Sequence, residues 1–342
     1  MSTVPASFAA AEVRRVSDFF RYHGPWAPGV RLFRAIGFRA KAMVISAVFL
    51  IPLAFLAWQY FGDKAAAIEF SARERVGVDY MRHAMPVLQA LVAERSAALS
   101  GDASALSARR SERQALWARL SEAQQADGST LSTAEAFDAA LKANDAMDAG
   151  AVSVLEVLAR HDRAVDAMVT LIIAANDGSN LTLDPDLDTY YLMDGAIVAM
   201  PSLLDATGRL QALATALPLH SGQAEALSKA MVETAVRVGL DDARLDTALQ
   251  KVAGLHPAFI ADGGFADTRR AVVDFKRSTL AGGSLAAGAQ TLSAVGTAQT
   301  RLLDQLDHLL SVRVDGMAQA RNLTVLLLGV TLVGAVYFFL SF

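Results

Sequence analysis

The chain of 342 residues contains no cysteine. Disulfide bonds and thiolate metal sites are therefore excluded, and the bacterial periplasm is a permitted compartment. The sequence also lacks a glycine-rich phosphate loop, a nucleophile elbow and an H-x-x-E-H type zinc motif, which are common signatures of catalytic sites. We therefore expect a protein that is not an enzyme and that carries no cofactor.

Charge is missing altogether from two stretches, residues 42–62 and 322–342. Each is 21 residues long and contains no Asp, Glu, Lys, Arg or His. A helix of this length crosses a bilayer core of ~30 Å at a rise of ~1.5 Å per residue. The sequence therefore predicts a tail at 1–41, a transmembrane helix at 42–62, a domain at 63–321 and a second transmembrane helix at 322–342.

The charges that are present predict the orientation of these spans. Residues 1–41 hold seven Lys or Arg and two acidic residues, which gives +5; residues 63–321 hold 24 basic and 33 acidic residues, which gives −9. Basic residues beside a first span keep that end in the cytoplasm. We expect a two-span protein of the bacterial inner membrane, with both termini cytoplasmic and the loop periplasmic. A signal peptide is the competing interpretation, although secretory apolar regions of ~7–15 residues are shorter.

The tail places aromatic residues among its arginines. Gly24-Pro25 and Pro28-Gly29 are expected to interrupt any helix there, and the stretch from Val30 mixes apolar and basic residues as an interfacial helix does. A membrane-surface anchor and an unstructured basic tail both fit this composition.

Proline is scarce in the loop, which contains Pro86, Pro185, Pro201, Pro218 and Pro257. Alternating β-branched runs are also few, whereas Ala, Leu, Glu, Gln and Arg are abundant, so the loop is predicted to be helical. The expected fold is all-α, an elongated antiparallel helical bundle between two transmembrane helices. Helix breaks are expected at 101–102, 127–129, 177–185, 218–222, 239–241, 256–257 and 263–264.

Three long helices are predicted. The capping box Ser132-Thr133-Ala134-Glu135 is expected to start a helix that extends to Ala175. The first span should continue outward to Ser100, with an irregularity near Pro86. One apolar stripe runs toward the second span with only Gly316 as a break residue, so a single helix should enter the membrane there; the stripe comprises Leu292, Val295, Leu302, Leu306 and Leu309.

The segment 177–194 is the least generic part of the loop. Asp177 and Asn180 belong to a predicted turn. Asp184 fits an N-cap with Pro185 at the first helical position, and the following aspartates favour the positive helix end, so we expect a helix-start cap cluster of Asp184, Asp186 and Asp188. A calcium loop fails its template because Thr189 replaces the required Gly and Gly195 the required Glu. No metal site is predicted.

Arg95 is the candidate for binding charge. It lies in a stretch rich in Ala and Ser, where small neighbours let an arginine approach the bundle interior and bind an anion. The alternative is an exposed Arg95 paired with Glu94 or another acid. Of the adjacent tyrosines 190 and 191, one can face a groove. The predicted ligand-binding residues are Arg95, Asp177, Asn180 and Tyr191, whereas His161-Asp162 is expected at the surface.

Several motifs resemble a known group. The layout and the segment LTLDPDLDTYYLMD at 181–194 resemble the sensory half of bacterial methyl-accepting chemotaxis proteins, as do HGPWAPGV at 23–30 and FRAKA at 38–42. The stretch from Glu94 is similar to the E-R-G-x-x-A signature of nitrate- and nitrite-sensing helical domains, with Ser96 in place of Gly. This resemblance implies a small anion bound between helices by arginines, with a second arginine after Pro201, where Arg209 and Gln211 flank the expected position.

The resemblance implies a transmembrane chemoreceptor-type sensor that detects a small extracytoplasmic ligand. A sensor histidine kinase or a diguanylate cyclase could use a similar ectodomain, and a structural membrane protein with a partner-binding bundle and no ligand is the alternative of another class. The expected partners are a second copy of the chain, the lipid bilayer and a small anion, without nucleic acid. No linker, methylation helices or kinase-contact region follows residue 342, so we expect a fragment or a natural truncation.

Overall fold

The computed structural model describes residues 24–148, 150 and 153–341. The predictions made for the first 23 residues of the tail lie outside this part of the chain. The chain divides into two units, Met1–Ala65 and Ala66–Phe342. All regular structure in the described residues is helical, without a strand, so the predicted all-α class is confirmed.

The described part of the first unit starts with a short 3-10 turn at Gly24–Trp26. Helix α1 (Ala27–Ala35) follows, and α2 (Phe38–Ser100) begins in this unit. The break expected at Pro28-Gly29 is wrong, because Pro28 lies in the first turn of α1, where its missing N–H leaves no helical hydrogen bond unmade.

The second unit contains the remainder of α2 and all later helices. They are α3 (Ala103–Leu131), α4 (Ala134–Ala146), α5 (Val154–Gly178), α6 (Leu187–Met193), α7 (Met200–Ala216), α8 (Ala224–Leu255), α9 (Pro257–Asp262), α10 (Phe265–Leu280) and α11 (Ala287–Ser341). A π-helical segment, Asp194–Ala199, joins α6 to α7. Such segments interrupt the regular hydrogen-bond ladder and are frequent at functional sites.

Two of the three predicted long helices are confirmed as continuous. Helix α2 runs to Ser100 without a break at Pro86, and α11 runs from Ala287 to Ser341. Each contains a window that is long and apolar enough to cross a membrane, and no residue of either window is buried within the protein. Residues 42–62 of the first uncharged stretch lie in α2, and residues 322–341 of the second lie in α11.

The predicted helix from Ser132 to Ala175 is instead two helices, α4 and α5. Ser132 adopts a left-handed conformation (φ 56°) and ends α3, while Thr133 takes the N-cap position of α4. The Thr133 hydroxyl donates to Gln124 Oε1 at 2.8 Å and does not cap the helix. The predicted capping box is therefore not formed, because Ser132 is not the N-cap of α4 and Thr133, which takes that position, makes no capping hydrogen bond.

Of the predicted breaks, those at 127–129 and 239–241 are wrong, since α3 and α8 pass through them. Gly128 is buried beside the Gln124 side chain, where an added Cβ would lie 2.2 Å from Nε2. The glycine thus serves close packing within a helix and ends none. The other five breaks fall between helices.

One continuous apolar core lies in the second unit. It contains side chains from α2, α5, α7, α8, α10 and α11, including most of the predicted α11 stripe. A smaller apolar cluster joins the ends of α2 and α7 to the starts of α5 and α8, and comprises Leu99, Val154, Leu158, Leu213, Ala216 and Leu227. Helices α2, α7 and α11 therefore share one apolar core, and the same helices contribute residues to the ionic networks described in the next subsection.

Candidate functional site: two buried ionic networks

Arg95 is fully buried on α2. Its Nη1 donates to Asp162 Oδ1 and to Asp205 Oδ1, both at 2.8 Å, and its Nη2 donates to the Asp205 carbonyl at 2.8 Å. The expectation of an interior arginine is therefore correct. The exposed position in the alternative is wrong, whereas its pairing with an acid other than Glu94 is correct. The protein's own acceptors thus occupy both Nη atoms of the guanidinium, whereas Nε has no hydrogen-bond partner in the described residues.

Two arginines converge on the Asp162 carboxylate. Arg95 binds its Oδ1, and Arg209 Nε donates to its Oδ2 at 3.0 Å. Arg237 in turn pairs with Asp205 at 2.8 Å. The arginine pair that the family resemblance implies for a free anion thus holds a carboxylate of α5.

Further acids surround this network. Burial, followed by the neighbouring Asp205 and Asp162 carboxylates, raises the pKa of Asp166. Burial likewise raises the pKa of Asp241, although Arg237 opposes the shift. The three arginines and the surrounding acids of this network pair with one another away from water. Removing one partner would leave a buried charge without compensation and would lower the stability of the fold.

His161 is buried, so its predicted surface position is wrong. Its Nδ1 lies 2.9 Å from the Val157 carbonyl, and its Nε2 has no hydrogen-bond partner in the described residues. Burial, with smaller contributions from Arg95 and Arg113, lowers its pKa to about 4. The apolar spacing around it indicates this inward position, since Val154, Leu158, His161, Val165, Met168 and Ile172 alternate steps of four and three.

Glu94 pairs with Arg113 of α3 and not with Arg95. The Arg113 Nε donates to Glu94 Oε2 at 2.6 Å, and both side chains are buried. Adjacent residues of a helix point ~100° apart, so Glu94 and Arg95 serve different neighbours. Asn144 and Asp148 complete the Arg113 site. Sequence analysis missed Arg113, whose surroundings on a polar helix carry no distinctive signal.

The four predicted ligand residues do not form one site. Asp177 accepts a hydrogen bond from Thr182, and Asn180 takes a left-handed conformation (φ 71°). This turn packs on α2 at Gly77, where an added Cβ would lie 2.2 Å from Ser179 Oγ. Arg95 lies 18 residues further along α2, a rise of ~27 Å.

Tyr191 is half-buried against the main core and meets Tyr190 edge to face at 5.3 Å between ring centroids. It therefore belongs with the 177–194 turn and not with Arg95.

The aspartates predicted to cap a helix have a larger role. Helix α6 begins at Leu187 with Asp186 at its N-cap, so neither Asp184 nor Pro185 takes the expected helical position. Asp184 Oδ1 instead accepts from the Asp186 N–H and from Arg313 Nη2, each at 2.9 Å.

Asp188 Oδ2 lies 3.0 Å from His256 Nε2. Burial alone would raise the Asp188 pKa, but hydrogen bonds from His256 and the Thr189 N–H outweigh it and lower that pKa.

Arg313 is the centre of a second network, which joins α2, the 184–189 segment and α11. It contacts Glu74 Oε2 at 3.2 Å, Asp184 and Asp186 at 2.9 Å each, and Thr189 Oγ1 at 2.6 Å. Glu74 is fully buried, and its Oε1 has no hydrogen-bond partner in the described residues. Burial, followed by repulsion from Asp184, raises the Glu74 pKa to about 7.

Helices α2 and α11 are paired further along by surface ion pairs. Arg75 Nε lies 2.9 Å from Asp307, and Arg82 Nη2 lies 3.2 Å from both Asp304 and Asp307. Burial alone would raise the pKa of Asp307, but the two arginines outweigh it and lower that pKa. The two helices that contain the apolar windows are thus joined to each other by ion pairs between Arg75 or Arg82 of α2 and Asp304 or Asp307 of α11.

Within the described ranges, no group of three or more His, Cys, Asp or Glu is placed to hold a metal ion. Comparison of the chain with protein-family models, with curated proteins and with solved structures finds no significant match.

Proposed function

We propose that the chain is a transmembrane sensor module of the chemoreceptor type, which detects a small extracytoplasmic ligand and passes a helix displacement to a cytoplasmic output. The observation that carries the proposal is the ionic pairing of α2 with α11, the two helices that contain the apolar windows. A shift of α11 against α2 must rearrange the Arg313 network or carry the 184–189 segment with it. Packed helices switch by ~1–2 Å between discrete arrangements.

The proposed topology follows the charge distribution. The tail and the end of α11 lie in the cytoplasm, residues 63–321 lie in the periplasm, and the membrane is the bacterial inner membrane. A homodimer would place four spanning helices side by side. The output could equally be a histidine kinase or a diguanylate cyclase, because a displaced helix is a general signal.

One observation favours the function of another class, a structural membrane protein with a partner-binding bundle. Arg95 and Arg209, the arginines expected to bind an anion, are already held by Asp162. Interior charges that pair with each other stabilise a rigid bundle, which suits a structural protein as well as a sensor.

Joining residues 1–342 to the autokinase domain of a two-span receptor tests the proposal. Four successive linker lengths cover about one turn of helix and hence each rotational phase. We expect Arg313→Gln to change the autophosphorylation rate at least twofold in one or more phases, because it removes the α11 charge that binds Glu74 of α2 and the 184–189 segment. Arg270→Gln, at an exposed i,i+3 pair on α10, is the matched control.

A cysteine introduced at the exposed Ser129 reports insertion, because an impermeant thiol reagent labels it only if the loop is outside. Glu74→Gln is the second variant should Arg313→Gln fail to insert. The sensor proposal would be overturned if correctly inserted fusions with Arg313→Gln, or with Glu74→Gln where Arg313→Gln does not insert, gave the output of the parent fusion in every phase.

A further inference from the structure

Glu74 of α2 is a fully buried carboxylate with one oxygen that has no donor. Its Oε2 contacts Arg313 Nη1 at 3.2 Å, whereas its Oε1 is shielded from solvent and makes no hydrogen bond within the described residues. The Asp184 side chain is also shielded from solvent, and its Oδ2 likewise has no partner in this part of the chain. Two buried acceptors of the Arg313 network therefore lack donors, and unmade hydrogen bonds of this kind are costly.

The charges of the Arg313 network do not balance. The carboxylates of Glu74, Asp184 and Asp186 all contact the single guanidinium of Arg313. When like charges share one site, a proton is held on one of them. Glu74 is the member that favours the proton, because Asp184 also accepts from the Asp186 N–H and the Asp186 side chain is 57% exposed to water.

The other charged groups close to this carboxylate have partners of their own. On α2, Arg73 donates to a backbone carbonyl of α3, and Arg75 pairs with an acid of α11. In the 184–189 segment, Asp188 pairs with His256. Arg313 is therefore the cation that must balance Glu74, and it is shared with two other acids.

A proton is the ligand that suits this carboxylate. Among the described residues the acids of the network are not placed to hold a metal ion, whereas a proton needs a single oxygen, turns Oε1 into a donor and removes one negative charge. Burial, followed by repulsion from Asp184, raises the Glu74 pKa to about 7, so this proton exchanges near neutral pH. The half-exposed Asp186 connects the network to water.

We propose that the Glu74 carboxyl is a proton-binding site and that its proton controls how α11 is held against α2. With Glu74 protonated, Arg313 is left to Asp184 and Asp186, and fewer charges repel one another within the network. Loss of the proton places a third carboxylate charge beside Arg313. Repulsion from Asp184 then favours a displaced or looser arrangement of the 184–189 segment and of α11.

The consequence for signalling rests on the proposed function. Arg313 lies only ~14 Å along α11 from Asn322, the first residue of the uncharged stretch. The ion pairs of Asp304 and Asp307 lie further from that stretch, and the two arginines that bind Asp307 lower its pKa, so Asp307 stays ionised when Glu74 titrates. A change of the Glu74 proton therefore acts at the end of the α2–α11 pairing that is nearer to the apolar window of α11.

Infrared titration of the full chain in lipid nanodiscs tests the proton site, because a protonated carboxyl has a carbonyl stretching band that a carboxylate lacks. We expect the parent to lose one carboxyl equivalent of this band with a midpoint at a pH of about 7. Glu74→Gln should lack this step. Asp79→Asn, at an exposed acid of α2, and His256→Gln, at the neighbouring titratable pair, should retain it.

Spin labels on cysteines introduced at the exposed positions Glu69 and Asp315 test the coupling to α11. Pulsed electron–electron double resonance compares the label distances at about pH 5 and about pH 9, where the Glu74 carboxyl is mostly protonated and mostly ionised. We expect the parent distribution to shift by ~1–2 Å or to broaden at the higher pH. Glu74→Gln should give the low-pH distribution at both values, and Asp79→Asn should follow the parent.

An infrared step that persists in Glu74→Gln, or that is missing from the parent, would overturn the proton site. Parent distances that are the same at both pH values would overturn its control of α11. Asp184→Asn is the second variant if Glu74→Gln does not fold. It should move the step to lower pH because it removes the repulsion, and an unmoved step would contradict the inference. Because neither measurement requires an output domain, failure here is distinguishable from failure of the kinase fusions.

Discussion

At the scale of single residues, Arg95 is a fully buried cation that pairs with acids from two other helices. It is fully buried and satisfies two acids, of which Asp205 has a side chain only 4% exposed. Its removal would leave Asp205 with Arg237, a half-exposed partner, and Asp162 with Arg209. An uncompensated buried carboxylate is among the costliest defects that a substitution can create.

We therefore predict that Arg95→Met lowers the free energy of unfolding by ~3–5 kcal/mol, since breaking one side of a buried ion pair has costs of this size. Denaturant unfolding of the purified full chain measures the change. Arg270→Met at an exposed pair should cost less than about 1 kcal/mol. Equal stability of the two variants would mean that the Arg95 network is not formed.

Glu74 should make stability depend on pH. Burial, followed by repulsion from Asp184, raises its pKa from 4.5 to about 7, although Arg313 opposes the shift. Between these values the folded state binds the proton more tightly than the unfolded state, so the Glu74 contribution to stability declines as pH rises toward 7. Glu74→Gln resembles the protonated form. It should exceed the parent in stability above pH ~7 by roughly 1–3 kcal/mol, with a difference that closes below pH ~5.

Thermal or denaturant unfolding of both proteins across this pH range measures the difference. Glu69→Gln, at an exposed position of the same helix, is the control and should follow the parent curve. A stability difference that stays constant with pH would contradict the raised pKa.

At the scale of elements, the sequence predicted the long helices better than their junctions. Length, apolar spacing and the scarcity of proline are sufficient for α2 and α11. Gly128 was misread as a break because a glycine used for close packing looks the same in sequence as one used for a turn. The split between α4 and α5 was missed although Ser153, followed three residues later by Glu156, is an N-cap whose side chain accepts from the Glu156 N–H.

The candidate site was only partly predictable for the same reason. Small neighbours indicated that Arg95 could enter the bundle, and this is correct. Nothing local identifies Asp205, 110 residues away, as its partner, and nothing near Arg313 indicates that the 184–189 segment binds it. The predicted site combined Arg95 with the 177–180 turn because both stretches have distinctive sequences. Distinctive sequences need not be close in space, and the turn packs on α2 ~27 Å from Arg95.

The π segment between α6 and α7 depends on a side chain of α11. Gln299 is buried and donates to the Ala196 carbonyl within that segment. We predict that Gln299→Leu costs ~1–3 kcal/mol of stability, because the buried carbonyl loses its side-chain donor. Gln250→Leu, at an exposed position of α8, is the matched substitution and should be nearly neutral. Denaturant midpoints compare the two, and equal costs would show that the contact to Ala196 does not support the π segment.

At the scale of the whole molecule, the account depends on two helices. Each is continuous from the core of the second unit into an apolar window, and the charges on them pair α2 with α11. The Arg313 network adds the 184–189 segment to this pair.

Measuring the distance between α2 and α11 tests most directly whether the Arg313 network sets the position of one helix against the other. The chain has no cysteine, so spin labels on cysteines introduced at the exposed positions Glu69 and Asp315 are the only labels. Pulsed electron–electron double resonance in nanodiscs then measures the distance between the two labels in the parent, in Arg313→Gln and in the Arg270→Gln control. We predict that Arg313→Gln alone shifts the distance distribution by ~1–2 Å or broadens it. Identical distributions in all three proteins would contradict the claim that the Arg313 network sets the position of α11 against α2.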